Sequence, residues 1–262
     1  MALGPQCSGG CCAVVATGGR NTWKPDGQTD TFSFERITFA SFARSGAKVL
    51  DGLVDPQQGA DDFVGVGQLE ECRRTVRKRR IDVLLINIGG NDAGFSGVLT
   101  DLVGRDSIYT GSLSGTLKAL VKSPVAGVPG GDALGRQQVE KQLMHLLGVG
   151  LPPEHKGELE QHYDVLHDRV EDLANDPGIG DVYITGYPIG FLENRAPDGR
   201  LFFKSCEIFS GPDADMTGAD GKMIQRIGRE LNKLIARKAT EFGWHFIDVE
   251  KAFEGHGYCG PR

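Results

Sequence analysis

Asn91 and Asp92 follow a glycine pair, Gly89-Gly90, at the end of the apolar run Val83 to Ile88. Two glycines let the backbone turn sharply there, and an asparagine just beyond them can aim its amide NH2 into a cleft as a donor. The same turn also suits a plain strand-to-helix connection in which Asn91 or Asp92 caps the next helix. Two more glycine turns stand at the ends of apolar stretches, Ser45-Gly46-Ala47 and Gly186-Tyr187-Pro188. The backbone N–H of Gly46 and the side-chain amide of Asn91 could converge on one developing oxyanion. Such donors stabilise the tetrahedral intermediate of acyl transfer by about 3–4 kcal/mol each. That chemistry further requires a nucleophilic serine and a histidine base.

Elements of a particular kind must position these turns. Val83 to Ile88 is short, apolar, bounded by charge before and glycine after, and predicts a strand buried on both faces of a parallel sheet. Ligands bind outside the carboxyl ends of strands in such sheets, which is where Asn91 falls. Ile37 to Phe42 is β-branched and aromatic and predicts a second strand, with Asp181 to Thr185 and Trp244 to Asp248 as two more. Residues 1–30 read as loop or terminus, with only Cys12 to Ala16 apolar enough for a short strand.

Helical periodicity appears over Gln68 to Arg80, Arg136 to Leu147 and Glu158 to Asn175, where Leu159, Tyr163, Leu166, Val170 and Leu173 form one stripe. A short helix is expected over Phe95 to Val103. A further helix after Thr217-Gly-Ala-Asp220 carries Met223, Ile227, Leu231 and Leu234, and Gly243 stops it. Leu192 to Asp215 reads as irregular. Strand–helix alternation of this kind implies an α/β fold, a three-layer parallel sheet with helices on both faces.

The chain of 262 residues fits a single domain, 1–262, with 104–135 as a long glycine- and serine-rich segment of lid type. Hydrophobic and charged fractions of 39% and 24% are those of an ordinary globular protein. A net charge of −6 argues against nucleic acid as the main partner. No apolar run approaches the ~20 residues of a transmembrane helix.

The charge run Arg73 to Arg80 reads as a solvated last helical turn, with an anion site as the other reading. Cys7, Cys11 and Cys12 lack partners at zinc-like spacing, and His162 and His167, five apart, do not share a helix face and read as surface residues. No metal and no cofactor is therefore expected. Cys206 and Cys259 lie in late glycine-rich loops and could bridge in an oxidising compartment. No signal peptide is visible, and the compartment stays open.

The block Gly-Gly-Asn91-Asp92-Ala-Gly-Phe after an apolar strand resembles the third block of the SGNH, or GDSL-type, hydrolases, a family of esterases and lipases. Phe42-Ala-Arg-Ser-Gly46-Ala resembles the second block. The resemblance covers residues 36 to 103 well and the later alternation loosely. It implies a flavodoxin-like hydrolase fold, with the Asn91 amide and the Gly46 N–H as oxyanion donors and a lipid or other small ester as substrate.

Two family blocks are missing. Gly-Asp-Ser at the end of a first strand is not found; Gly4-Pro5-Gln6 sits near its place, and Ser8 is the nearby serine in a glycine-rich turn. The closing Asp-x-x-His is also absent. His256 is the late loop histidine that could serve as base, but Phe253 stands where the carboxylate belongs. In secreted members a Gly-His-x-x-Cys segment can precede the catalytic histidine, so His256 reads equally as a structural loop residue. With both gaps at the ends, the sequence reads as truncated at both. The readings are thus a serine esterase or lipase, or an incomplete relative with a binding role only. A dinucleotide binder is disfavoured, because no Gly-x-Gly-x-x-Gly follows a first strand.

Overall fold

Nine strands and five helices are described in a computed structural model that covers residues 10–17, 36–58, 65–94, 131–175, 178–189, 193–195, 198, 201–203, 206–207, 215–216 and 218–253. The chain divides into two compact units, one formed by residues 1–88 and 165–184 and the other by 89–164 and 185–262.

The first unit holds strands β1 (Gly10–Thr17), β2 (Arg36–Ser41), β3 (Ile81–Asn87) and nearly all of β4 (Ile179–Thr185), with helix α1 (Gln68–Val76). These strands lie in the order β2-β1-β3-β4. The expected parallel pairing holds between β3 and β4, where Ile81 faces Ile179, Leu84 faces Val182 and Ile86 faces Ile184. The arrangement is α/β.

β1 departs from the expectation of a wholly parallel sheet. It pairs antiparallel with both β2 and β3, with Val14 opposite Phe39 on one side and Val83 on the other. A parallel pair needs a long crossover, usually helical, whereas antiparallel neighbours do not. The sheet is mixed.

β3 is also less uniformly enclosed than its apolar run suggests. Ile81, Leu84 and Ile86 are fully buried, while Val83 and Leu85 are half-buried. α1 ends four residues earlier than expected. Its apolar face, Leu69, Cys72 and Val76, is buried as the spacing requires, but Arg77 takes φ 57°, a left-handed conformation that stops the helix. Arg77 to Arg80 are exposed, in keeping with the solvated reading of the charge run. At the other end of α1, the backbone N–H groups of Gln68 and Leu69 donate to the carbonyls of Gly52 and Leu53. Loop carbonyls thereby satisfy donors that a helix start leaves open.

Helix α3 (Glu158–Asn175) begins in the second unit and ends in the first. Its bounds and its stripe are those expected: Leu159, Tyr163, Leu166, Val170 and Leu173 are all buried.

The second unit further contains α2 (Gly131–Leu146), α4 (Gly218–Phe242), β9 (His245–Ile247) and a short α5 (Glu250–Phe253). α2 starts inside the segment expected to be a loop up to 135. Where the sequence read as irregular there are two small antiparallel hairpins, β5 (Glu193–Arg195) with β6 (Leu201–Phe203) and β7 (Cys206–Glu207) with β8 (Asp215–Met216). Strands of two or three residues are too short to show a period.

α4 buries Met223, Ile227, Leu231 and Leu234 as its spacing predicts. Gly243 ends it at φ 71°, and the Trp244 N–H reaches back to the Ala239 carbonyl at 2.8 Å. Charged pairs join the helices. Arg226 of α4 holds Glu140 of α2 through two bonds of 2.6 and 2.9 Å, and Arg237 holds Glu160 of α3 at 2.7 and 3.0 Å. Lys238, 1% exposed, meets Asp164 of α3 and Glu241, and its ammonium lies 4.7 Å from the centre of the Phe242 ring.

The expected helix over 95–103 and most of the 104–135 segment lie outside the described residues, as does Cys259. Among the described residues, no helix is long and apolar enough to cross a membrane, and no cluster of His, Cys, Asp or Glu could hold a metal ion.

Candidate active site

The turn after β3 is built from short backbone bonds and two tyrosines. Gly89 takes φ 110°, which L side chains rarely adopt, and a Cβ there would lie 2.2 Å from the hydroxyl of Tyr163. The Ala93 N–H donates to the Gly89 carbonyl at 2.9 Å and the Gly94 N–H to the Asn91 carbonyl at 3.1 Å. The chain from Gly89 to Gly94 is therefore a tight, internally bonded loop. Asn91 sits half-buried near its apex.

Tyr187 locks the loop from outside. The Gly90 N–H donates to the Tyr187 hydroxyl at 2.8 Å, and a Cβ on Gly90 would lie 2.8 Å from that ring. Tyr187 is itself clamped: its N–H donates to the Asn232 Oδ1 at 2.7 Å, and the Asn232 amide donates to its carbonyl at 3.0 Å. Asn232 is 7% exposed on α4, so two backbone groups of the Gly186-Tyr187-Pro188 turn are satisfied by one buried amide.

Burial pushes the Tyr187 phenol up to about 12; the Gly90 N–H opposes the shift and the nearby Asp92 charge adds to it. Burial also raises Tyr163 well above the ordinary phenol value, with Tyr187 and Asp92 contributing. Both phenols therefore stay neutral at physiological pH, and a neutral Tyr187 hydroxyl can accept from Gly90 and still donate its own proton.

Asp92 and His162 complete the surroundings. The Asp92 side chain is 4% exposed, and its Oδ1 lies 3.4 Å from the Nδ1 of His162 on α3. The other ring nitrogen of His162 lies 3.9 Å from the Glu158 carboxylate. His162 is thus not the plain surface residue its spacing suggested: its side chain is only 24% exposed, because α3 turns it toward the loop. His167 is half-buried too.

Gly46 belongs to the first unit. It is exposed in a turn at φ 76°, between β2 and the buried Ala47. Gln57 donates to the Ser45 carbonyl at 3.0 Å, and Arg44 donates to the Val66 carbonyl at 3.1 Å while pairing with Glu71 of α1. These bonds fix the turn against the first unit's own loop and helix. Ser8 and His256 lie outside the described residues.

The sequence places Asp92 in the turn but not its partner His162, and it gives no site role to Tyr163, Tyr187 or Asn232. Tyr163 was legible as a core position and Tyr187 as part of a strand-end turn. Nothing local announced that either would touch the glycine pair.

No protein-family model and no curated protein matches the chain. Among solved structures it is similar to an extracellular lipase from Streptomyces rimosus, at 20% identity and a TM-score of 0.43. A phospholipase A1 from Streptomyces albidoflavus NA297 is similar at 19% and 0.43. Each likeness covers 83% of this chain and 63% of the other, so the chain spans less than two thirds of either neighbour's length.

Proposed function

We propose that the chain is a hydrolase of carboxylic esters, of the esterase or lipase type, with the three-layer architecture that its SGNH-like blocks imply. The observation that carries the reading is the Gly89-Gly90-Asn91-Asp92 loop at the carboxyl end of a buried strand, braced by its own backbone bonds and by Tyr187. A braced loop is what an oxyanion donor requires, since the donor must be in place before charge develops. Asn91 supplies a side-chain N–H and Gly46 a backbone N–H to the carbonyl oxygen. Ser8 serves as nucleophile and His256 as base, roles taken from the blocks they approximate.

In this mechanism the serine hydroxyl attacks the ester carbonyl and its proton passes to the histidine. The tetrahedral oxyanion is held by the two donors, and the histidine returns the proton to the departing alkoxide. Water then hydrolyses the acyl-enzyme by the same steps in reverse order.

The test is hydrolysis of short p-nitrophenyl esters by the purified chain. Asn91→Ala is expected to lower kcat by about 100- to 1,000-fold. An unchanged rate in that variant sinks the mechanism. A fluorophosphonate probe, expected to label one serine stoichiometrically, separates this reading from a module that only binds.

A further inference from the structure

We propose that His162 is a positioning residue for Asn91, an inference that rests on the oxyanion role given to Asn91 above. Asp92 directly follows Asn91, and its carboxylate is withdrawn from solvent, 4% exposed, within 3.4 Å of the His162 Nδ1. A carboxylate only accepts, so the ring nitrogen facing it is the donor.

The loop is thereby gripped on both sides of Asn91. Gly90 is held by the Tyr187 hydroxyl and Asp92 by the His162 ring. The backbone bonds from Ala93 and Gly94 close the loop behind them. His162 cannot drift, because its neighbours Leu159, Tyr163 and Leu166 anchor α3 in the core. The charged groups facing its ring are Asp92 at Nδ1 and Glu158 at Nε2, 3.9 Å away. Losing the His162 contact loosens the loop beside Asn91 and lets its amide turn from the direction that holding an oxyanion requires. Misplacing a catalytic group by about 1 Å can cost on the order of 100-fold.

Two variants separate a hydrogen bond from mere packing, because they change volume and donor in opposite senses. His162→Phe keeps a ring of similar size and removes the donor. His162→Asn removes volume and keeps a side-chain N–H near the place of Nδ1. The readout is the Asn91 side-chain NH2 signal pair in nitrogen–proton NMR spectra, assigned by its loss in Asn91→Asp.

A positioning role predicts that His162→Phe shifts or broadens this pair, while His162→Asn leaves it as in the wild type. Asp92→Ala is expected to reproduce the change from the acceptor's side should the phenylalanine variant not fold. With ester substrates, kcat in His162→Phe should fall about 10- to 100-fold at unchanged KM and recover in His162→Asn. The proposal is overturned if the Asn91 signals stay in place without the donor, or move only when volume is lost. A wild-type chain that cleaves no ester defeats the esterase reading alone, since the NMR comparison still decides the role of His162.

Discussion

Gly90 has no room for a methyl group, since a Cβ would stand 2.8 Å from the Tyr187 ring, a ring whose hydroxyl is bonded to the Gly90 N–H and whose backbone Asn232 clamps. Gly90→Ala is therefore expected to destabilise the protein by about 1–3 kcal/mol, the usual cost of overpacking. Tyr187→Phe tests the other half of the contact. It keeps the ring, removes the acceptor of the Gly90 N–H and leaves a buried donor unmatched, a loss of about 1–3 kcal/mol. Urea unfolding midpoints measure both. If Tyr187→Phe unfolds at the wild-type midpoint, the hydroxyl does not brace the loop. A motif search finds the glycine pair and Asn91 because they are adjacent in sequence. Tyr187 lies 97 residues from Gly90 and His162 lies 70 from Asp92, separations at which no spacing rule operates.

Helices α3 and α4 were the most legible elements, because each carries its buried residues at three- and four-residue intervals over many turns. The charged groups between them were not legible, since exposed and buried lysines look alike in a sequence. Lys238 is 1% exposed, yet Asp164 is shared with Lys156 at 2.6 Å and a third of its side chain meets solvent. Deleting the Lys238 charge therefore does not strand a buried anion. Its four-carbon stem, enclosed beside Phe242, should matter more than its ammonium. Lys238→Met is expected to cost less than about 1 kcal/mol and Lys238→Ala about 2–3 kcal/mol, the size of a core truncation. Thermal or urea unfolding of the two variants decides it. Equal losses would show that the charge, and not the stem, carries the stability. The hairpins β5/β6 and β7/β8 illustrate the opposite limit, with too few residues in each strand for a pattern to form.

At the scale of the whole chain, the α/β class followed from strand–helix alternation, whereas the antiparallel placement of β1 did not. Pairing direction depends on how the chain returns, and no periodicity in the sequence between β1 and β2 announces it. A second whole-chain property follows from the carboxylates. Two arginines, Arg73 first and then Arg74, bond Glu70 and hold it at about 2 against an ordinary 4.5. Glu160 is lowered chiefly by Arg237, and Asp164 is lowered by its bonds to Lys156 and Lys238 against an opposing burial effect. A carboxylate held lower in the folded state contributes stability that is present above its unfolded pKa and lost as pH falls through its folded one. Folding stability is thus expected to decline steadily from about pH 4.5 toward about pH 2 as Glu70 is protonated, with Glu160 and Asp164 adding to the same slope. Glu70 is 30% exposed on its side chain, so salt should weaken its share more than that of Glu160, which is 10% exposed. Urea midpoints measured across this pH range, at low salt and at high salt, test the ranking. Replacing Arg73 and Arg74 together by alanine should flatten the low-salt decline below the ordinary carboxylate range, and an unaltered slope in that double variant would remove Glu70 as its source.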